Sequence, residues 1–540
     1  MKFKNILVVG GGSSGWMTAA AICKFFKPEE EVKVSLVESK NIKTIGVGES
    51  TIASINTFLD VLGLGNDEDW MAECDATYKN SIRFTDFRDN DTVFEYPFGG
   101  TWNFENGVMS WAEIKAKYKL HPDSFSEFFN ENTFLAKYNR CTKNEKGYLD
   151  GFDFKQHTAY HFDAELFGQF LKKRICDPAG MPHYIDDIVG VEKDSRGNLQ
   201  CVIGESGKKY EADLFVDCTG FQSLLLEKEM GSRFISYKPW LENDKALATC
   251  IPYVDKEEEL HNVTNCTGIE NGWVWDIPLW NRIGTGYVYS SDFVDDETAE
   301  KEFRKHLARD PRFAKRAEEA ELRKINIRHG VHEEGWVKNV VGIGLAYGFV
   351  EPLESTGLVS THSNIIRFLE VLQRRKFNIN RFDIDTYNYA AAHELNGFRD
   401  FVGLHYCLSS RCDTPYWQYV TQEKSYRGLS QDDRALQVVQ GSNQMTFTDN
   451  FEAAMHVTLI HKVWTPQLAG WNYILGGMDY CPIGDYFYDL LCEDYPEVDD
   501  RVTQTYEQWK EHTENIIAYV QTLPTHYEFL KEHIYKDETD

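Results

Sequence analysis

Ile6-Leu7-Val8-Val9-Gly10-Gly11-Gly12-Ser13-Ser14-Gly15-Trp16-Met17-Thr18-Ala19-Ala20-Ala21-Ile22 runs without interruption from an apolar stretch through a glycine-rich turn into a helix-compatible segment. Such a run reads as strand, tight turn, helix. Gly10 permits the turn, Gly12 lets the backbone approach a pyrophosphate, and Gly15 lets helix and strand pack closely. Ser13 belongs to the same turn, and the N-terminus of the helix that follows offers free N–H groups to the phosphates. The glycine spacing alone is a weak signal. It gains weight from a second apolar strand, Val32-Lys33-Val34-Ser35-Leu36-Val37, which ends at Glu38. That carboxylate stands about twenty residues past the glycines, where a ribose hydroxyl would be gripped. The opening is therefore a Rossmann-like dinucleotide-binding unit.

With 540 residues, 42% hydrophobic and 14% aromatic, the chain has material for more than one core. Its formal charge of −28 argues against nucleic acid or an anionic membrane as partner, because a surface that tracks phosphates needs a basic face. The first strand begins so near Met1 that no signal peptide fits. The longest apolar stretch, around Val340 to Val350, is well short of the roughly 20 residues needed to span a bilayer. A cytoplasmic location is expected. The twelve cysteines include no CxxC pair, so reduced thiols are expected rather than disulfides or a metal site.

Further along, short apolar runs recur between Gly, Asn and Asp: Val189-Gly190-Val191, Leu199 to Ile203, Asp213 to Asp217, Ala246 to Ile251 and Gly286 to Tyr289. This is strand-and-turn grammar. Beyond about residue 358 the pattern turns helical, as in Ile365 to Leu372 and Val502 to Val520. The expected division is 1–358, a discontinuous cofactor module with an antiparallel sheet, and 359–540, a mostly helical cap on the substrate side. Two more strand-to-glycine turns, at Asp217-Cys218-Thr219-Gly220-Phe221 and at Val340 to Pro352 with Gly344, can approach a dinucleotide as closely as the first. Three separated glycine turns favour FAD in a discontinuous domain over NAD in a contiguous one.

Several blocks together carry a resemblance. Gly272-Trp273-Val274-Trp275-Asp276-Ile277-Pro278 looks like a WxWxIP signature. Gly46-Val47-Gly48-Glu49-Ser50-Thr51, Tyr160-His161-Phe162-Asp163, Asp217 to Phe221 and Glu351-Pro352-Leu353-Glu354-Ser355-Thr356-Gly357 follow the same family's order. The chain resembles the flavin-dependent tryptophan halogenases over nearly its whole length. The resemblance implies a mixed α/β (α+β) fold, with a para-hydroxybenzoate hydroxylase-like flavin module. FAD would be held by Gly10, Gly12, Ser13, Gly15, Glu38, Gly48, Gly220 and Gly344.

The same resemblance implies a chemistry. Reduced FAD (FADH2), supplied by a separate NAD(P)H-dependent flavin reductase, and O2 would oxidise a halide ion (bromide, iodide or chloride) to hypohalous acid. The halide would lie near the N–H groups of Thr356 and Gly357, since consecutive amides can form an anion-binding nest. The hypohalous acid would pass to Lys79, which would polarise it or carry the halogen as a haloamine. Glu354, oriented by Ser355, would stabilise the cationic ring intermediate or accept its proton. Trp273, Trp275, Ile277 and Pro278 would wall the flavin side and keep organic substrate from the oxidant.

Tyr96-Pro97-Phe98 stands where tryptophan halogenases typically have a histidine before Pro-Phe. Trp471 to Met478 also departs from their tyrosine-rich lid. The expected substrate is thus an electron-rich aromatic, indole-like or phenolic, with Phe98 stacking on it. The sequence leaves homo-oligomerisation open. An aromatic hydroxylase, or a flavin-binding protein without turnover, would share the glycine turns but give Lys79 no work.

Overall fold

The computed structural model describes residues 3–41, 46–99, 107–424, 474, 476–479, 492–493 and 495–536. They form two compact units, each assembled from three stretches of chain. One comprises residues 1–76, 161–244 and 326–399; the other comprises 77–160, 245–325 and 400–540. This partition cuts the chain elsewhere than at residue 358. The helix Gly357–Arg374 joins the unit that holds the glycine turns, while 77–160 and 245–325 join the C-terminal stretch.

The first unit is built on a six-stranded sheet in the order Trp336–Val337, Val340–Gly342, Leu214–Asp217, Asn5–Val9, Lys33–Glu38, His183–Ile185. Its strands are parallel except at the Trp336–Val337 edge. Val8 sits in register between Val216 and Leu36. The central strand is apolar from Ile6 to Val9 because both faces are covered there. Leu7 and Val9 pack with Leu199, Val202 and Tyr210, which belong to the antiparallel strands Ile188–Lys193, Leu199–Gly204 and Lys209–Glu211. Alternation leaves Ile6 and Val8 for the opposite face. The helix Ser13–Phe25 packs against the first two strands, burying Trp16 to Ile22. A small sheet, Phe234–Ser236, Gly330–His332 and Gly348–Phe349, completes this unit's strand inventory beside the short Glu49–Ser50 strand.

The second unit carries a seven-stranded sheet in the order Arg323–Asn326, Lys245–Ile251, Ile283–Tyr289, Gly272–Pro278, Val263–Ile269, Ser81–Thr85, Val93–Pro97. Val263–Ile269 and Ser81–Thr85 run parallel; the pairings of Gly272–Pro278 with its neighbours and of Ser81–Thr85 with Val93–Pro97 are antiparallel. One face, with Leu247, Ile251, Val274, Tyr287 and Tyr289, is closed by Phe303 and Leu307 of the helix Asp296–Leu307. The period of two then sends Trp273, Trp275 and Ile277 to the other face. Room for Trp275 comes from its ladder partner Gly286, where a Cβ would lie 2.3 Å from the indole. The expected strands and the expected helices are present as Ile188–Lys193, Lys245–Ile251, Gly357–Arg374 and Glu497–Val520. No helix among the described residues is long and apolar enough to cross a membrane.

Candidate active site

In the first unit the three glycine turns converge. Gly10 has φ +109, and a Cβ there would lie 2.3 Å from the carbonyl oxygen of Cys218, so the first turn is pressed against the second. A Cβ on Gly15 would stand 1.9 Å from the Gly10 carbonyl, which is the close helix–strand approach expected of that position. A Cβ on Gly344, at φ +68, would lie 2.8 Å from the Ser14 side chain, so the third turn is pressed against the first. A Cβ on Gly12 or on Gly220 would meet nothing within 4 Å. These two positions leave backbone open to an incoming group while the others close the cradle. Ser13 begins a helix with no side-chain cap and no acidic residue in its first turn. The N–H groups and positive dipole end are thus available to a phosphate. On these grounds the residues present fit a dinucleotide such as FAD.

Glu38 ends its strand as expected, and Gly11 is glycine because a Cβ would collide with the Glu38 carboxylate. One carboxylate oxygen is held 2.7 Å from Nε2 of His183, a partner that sequence spacing does not suggest. Gly48, at φ +103, turns the chain into the strand Glu49–Ser50, which pairs with Phe162 and His161. The Ser50 and Ser355 hydroxyls are 3.0 Å apart, so the Gly46–Thr51 block is hydrogen-bonded to the Glu351–Gly357 block.

That second block is a 3-10 turn, Pro352–Glu354, leading through Ser355 (φ 56) and Thr356 (φ −86) into the helix Gly357–Arg374. A left-handed residue followed by a right-handed one curls successive N–H groups toward a common point, the geometry of an anion nest. The first amides of the helix have no intrahelical acceptor. Glu354, Ser355 and Thr356 are buried, and a Cβ at Gly357 would meet nothing within 4 Å.

In the second unit Lys79 is wholly buried, at 0% exposure, with Nζ 5.3 Å from the centroid of the Phe98 ring. Its strand, Thr77–Lys79, is pinned on both sides. Thr77 Oγ1 donates to the Pro278 carbonyl at 2.6 Å, tying it to the tryptophan strand. The Tyr78 N–H donates to Nε2 of His526 at 3.2 Å, and Nδ1 of His526 lies 3.3 Å from the Leu260 carbonyl. Burial pushes the His526 pKa down to about 3, so the ring is neutral and can accept on Nε2. Tyr96 and Phe98 meet edge to face at 5.8 Å, with Pro97 between them in register with Ser81. Trp273 and Trp275 stand 6.1 Å apart, both buried. Lys79 and Phe98 are therefore brought together, as are the glycine turns with one another and Ser355 with Thr356. Lys79 and Glu354 belong to different units. Of the lid segment, Trp471, Asn472, Tyr473 and Leu475 lie outside the described residues.

Two groups were not legible beforehand as functional. Glu49, half-buried, has its pKa raised to about 7 by burial and, secondarily, by the charge of Asp163. It stands inside a quoted block, so its position was visible although its environment was not. Asn132, fully buried, contacts the Lys79 and Phe98 segments and carries no sequence signal, because only the fold brings it there.

The converging glycine turns of the first unit define a dinucleotide-binding protein of the flavin-oxidoreductase type. The chain belongs to the tryptophan halogenase family, whose model matches residues 5–479. It is 36% identical over 436 residues to a 7-chloro-L-tryptophan 6-halogenase of Kutzneria sp. (strain 744), covering 76% of this chain and 81% of that one. Among solved structures it is similar to apo VirX1, with 42% identity, a TM-score of 0.89 and 100% of both chains covered. It is also similar to a tryptophan 6-halogenase from Streptomyces toxytricini, with 31% identity, a TM-score of 0.82 and 98% and 99% of the two chains covered. The protein is an enzyme, an FAD-dependent halogenase of aromatic substrates.

Proposed function

We propose that this enzyme transfers an oxidised halogen through Lys79 to an electron-rich aromatic, indole-like or phenolic. The observation that carries this reading is the buried Lys79 amine 5.3 Å from the Phe98 ring. When bound, reduced FAD together with O2 supplies the oxidising power that turns halide into hypohalous acid; a separate NAD(P)H-dependent reductase would deliver it. Gly10, Gly12, Ser13, Gly15, Glu38, Gly48, Gly220 and Gly344 are the residues assigned to hold it. The nest at Thr356 and Gly357 orients chloride, bromide or iodide by amide hydrogen bonds. Trp273, Trp275, Ile277 and Pro278 exclude the organic substrate from the oxidising side by bulk.

Lys79 Nζ takes up hypohalous acid, either by donating to its oxygen and polarising the O–X bond or by forming an N–X bond with release of water. The ring contributes the electron pair that forms the new C–X bond, with Phe98 packed on its face and Tyr96 and Pro97 beside it. The ring proton then passes to a carboxylate, the role assigned to Glu354, with Ser355 and Ser50 fixing that turn. Tryptophan is the substrate that relatives' names print; Tyr96 in the wall favours a different or broader aromatic here.

The test is mass spectrometry of products from a panel of indoles and phenols, given FAD, a flavin reductase, NADH and each halide separately. Halogenated product should fall about 100-fold or more in Lys79→Ala while hypohalous acid is still formed. Full arene halogenation by that variant, or oxygenated product independent of halide, overturns the reading.

A further inference from the structure

The strands Ser81–Thr85 and Val93–Pro97 form an antiparallel ladder whose last in-register pair is Ser81 with Pro97. One rung continues past it: the Phe98 N–H donates to the Asn80 carbonyl at 2.9 Å. In a regular antiparallel pair the return bond would come from the Asn80 N–H to the Phe98 carbonyl. Here the Asn80 N–H donates instead to the Asn262 carbonyl at 2.8 Å. The Phe98 carbonyl is buried with its backbone donor diverted.

A side chain takes over that rung. Asn132 Nδ2 donates to the Phe98 carbonyl at 2.8 Å and to the Asn80 carbonyl at 3.3 Å, so one amide spans both strands. Asn130 Nδ2 reaches the Phe98 carbonyl at 3.4 Å, and its Oδ1 accepts the Asn132 N–H at 2.9 Å, fixing the turn that presents Asn132. Between the two asparagines, Glu131 accepts from the Asp150 N–H and stands 2.6 Å from Nε2 of His512, anchoring the turn at its back. Asn132 is 0% exposed and Asn130 1%. Asn80 is the residue directly after Lys79.

We propose that Asn132 is a positioning residue for halogen transfer: by bridging the carbonyls of Asn80 and Phe98 it sets the spacing between the Lys79 amine and the aromatic wall on which the substrate ring lies. This rests on the assignment of Lys79 and Phe98 made above. The action proposed for the amide is confined to delivery. With the bridge gone, the strand ends keep only the Phe98 N–H bond to the Asn80 carbonyl, the Phe98 carbonyl keeps only the longer Asn130 contact, and the spacing of the two ends loosens. The amine and the ring plane then lose their registration, and oxidised halogen escapes before it meets the arene.

The experiment compares holoenzyme with Asn132→Ala and Asn132→Gln, supplied with FAD, reductase, bromide and an indole. Two readouts are taken together: total hypobromous acid, trapped with a β-diketone in the absence of indole, and brominated indole. For Asn132→Ala, trapped hypobromous acid should stay within about twofold of wild type while brominated indole falls on the order of 100-fold, the usual consequence of about 1 Å of misplacement. Asn132→Gln, which keeps the donor on a longer arm, should recover part of the loss. Unchanged bromination in Asn132→Ala overturns the proposal. An equal fall of both readouts in both variants also overturns it, because the residue would then hold the fold rather than the amine–ring spacing. Lys79→Ala run in parallel separates the two layers. If it brominates normally, the assignment of Lys79 is what fails; if it is inactive while Asn132→Ala is not, only the positioning role fails.

Discussion

Glu49 is a carboxylic acid that would be half protonated near neutrality, because burial and the nearby Asp163 charge raise its pKa from an ordinary value to about 7. A raised carboxyl pKa means that the folded state binds the proton more tightly than the unfolded chain. The associated stability is present below about pH 4.5 and is lost as pH rises through about 7. Glu49→Gln removes that dependence. Measured by thermal unfolding, the variant should gain on the wild type between pH 5 and pH 8; a constant difference across that range would show that Glu49 ionises normally. At this scale the sequence was informative where a family block surrounds the residue. Lys79 and Glu354 could be singled out because Trp273 to Pro278 and Glu351 to Gly357 accompany them. His183 beside Glu38, and Asn132 beneath Phe98, depend on partners 145 and 34 positions away, which no spacing rule predicts.

Among elements, the first strand–turn–helix was readable in kind and order: the expected strand Ile6–Val9 and helical Trp16–Ile22 lie inside the strand Asn5–Val9 and the helix Ser13–Phe25. The reason is physical. A Cβ at Gly10 or Gly15 collides with backbone rather than with a movable side chain, so glycine is demanded there by covalent geometry. Gly15→Ala should cost about 1–3 kcal/mol, as overpacking of a fixed contact does. The expected result is a lowered melting temperature together with weaker FAD retention on gel filtration; unaltered retention would mean that the helix shifts without disturbing the cradle. The strand Gly272–Pro278 was visible as a motif rather than as a strand. Less visible still was the end of Val93–Pro97, where the ladder is finished by a distant side chain and no backbone pattern announces it.

Over the whole molecule, net charge and composition bear on solution behaviour, and the expected partition rested on periodicity. A net charge of −28 and an isoelectric point near 5.0 predict a solubility minimum near pH 5 and good solubility at pH 8, checked by light scattering across a pH series at low salt. A minimum displaced to neutral pH would point to a large surface patch rather than net charge as the control. The division at residue 358 followed the change from strand-like to helical periodicity. The compact units follow contacts instead, and each draws on three separate stretches. Periodicity reports local conformation; it does not say which distant segments share a core.

The strand order of the parallel sheet carries one consequence in time. Asn5–Val9 pairs on one side with Lys33–Glu38, but its other neighbour is Leu214–Asp217, which in turn awaits Val340–Gly342. At ribosomal speeds of about 5–20 residues per second, the sheet's last parallel neighbour emerges roughly 17–70 s after the first strand is begun. Throughout that interval the nascent chain displays an apolar strand with an open hydrogen-bonding edge. Synthesis thus passes through a period in which this edge is open to mispairing, and chaperones that shield it would raise the yield of active enzyme in a foreign host.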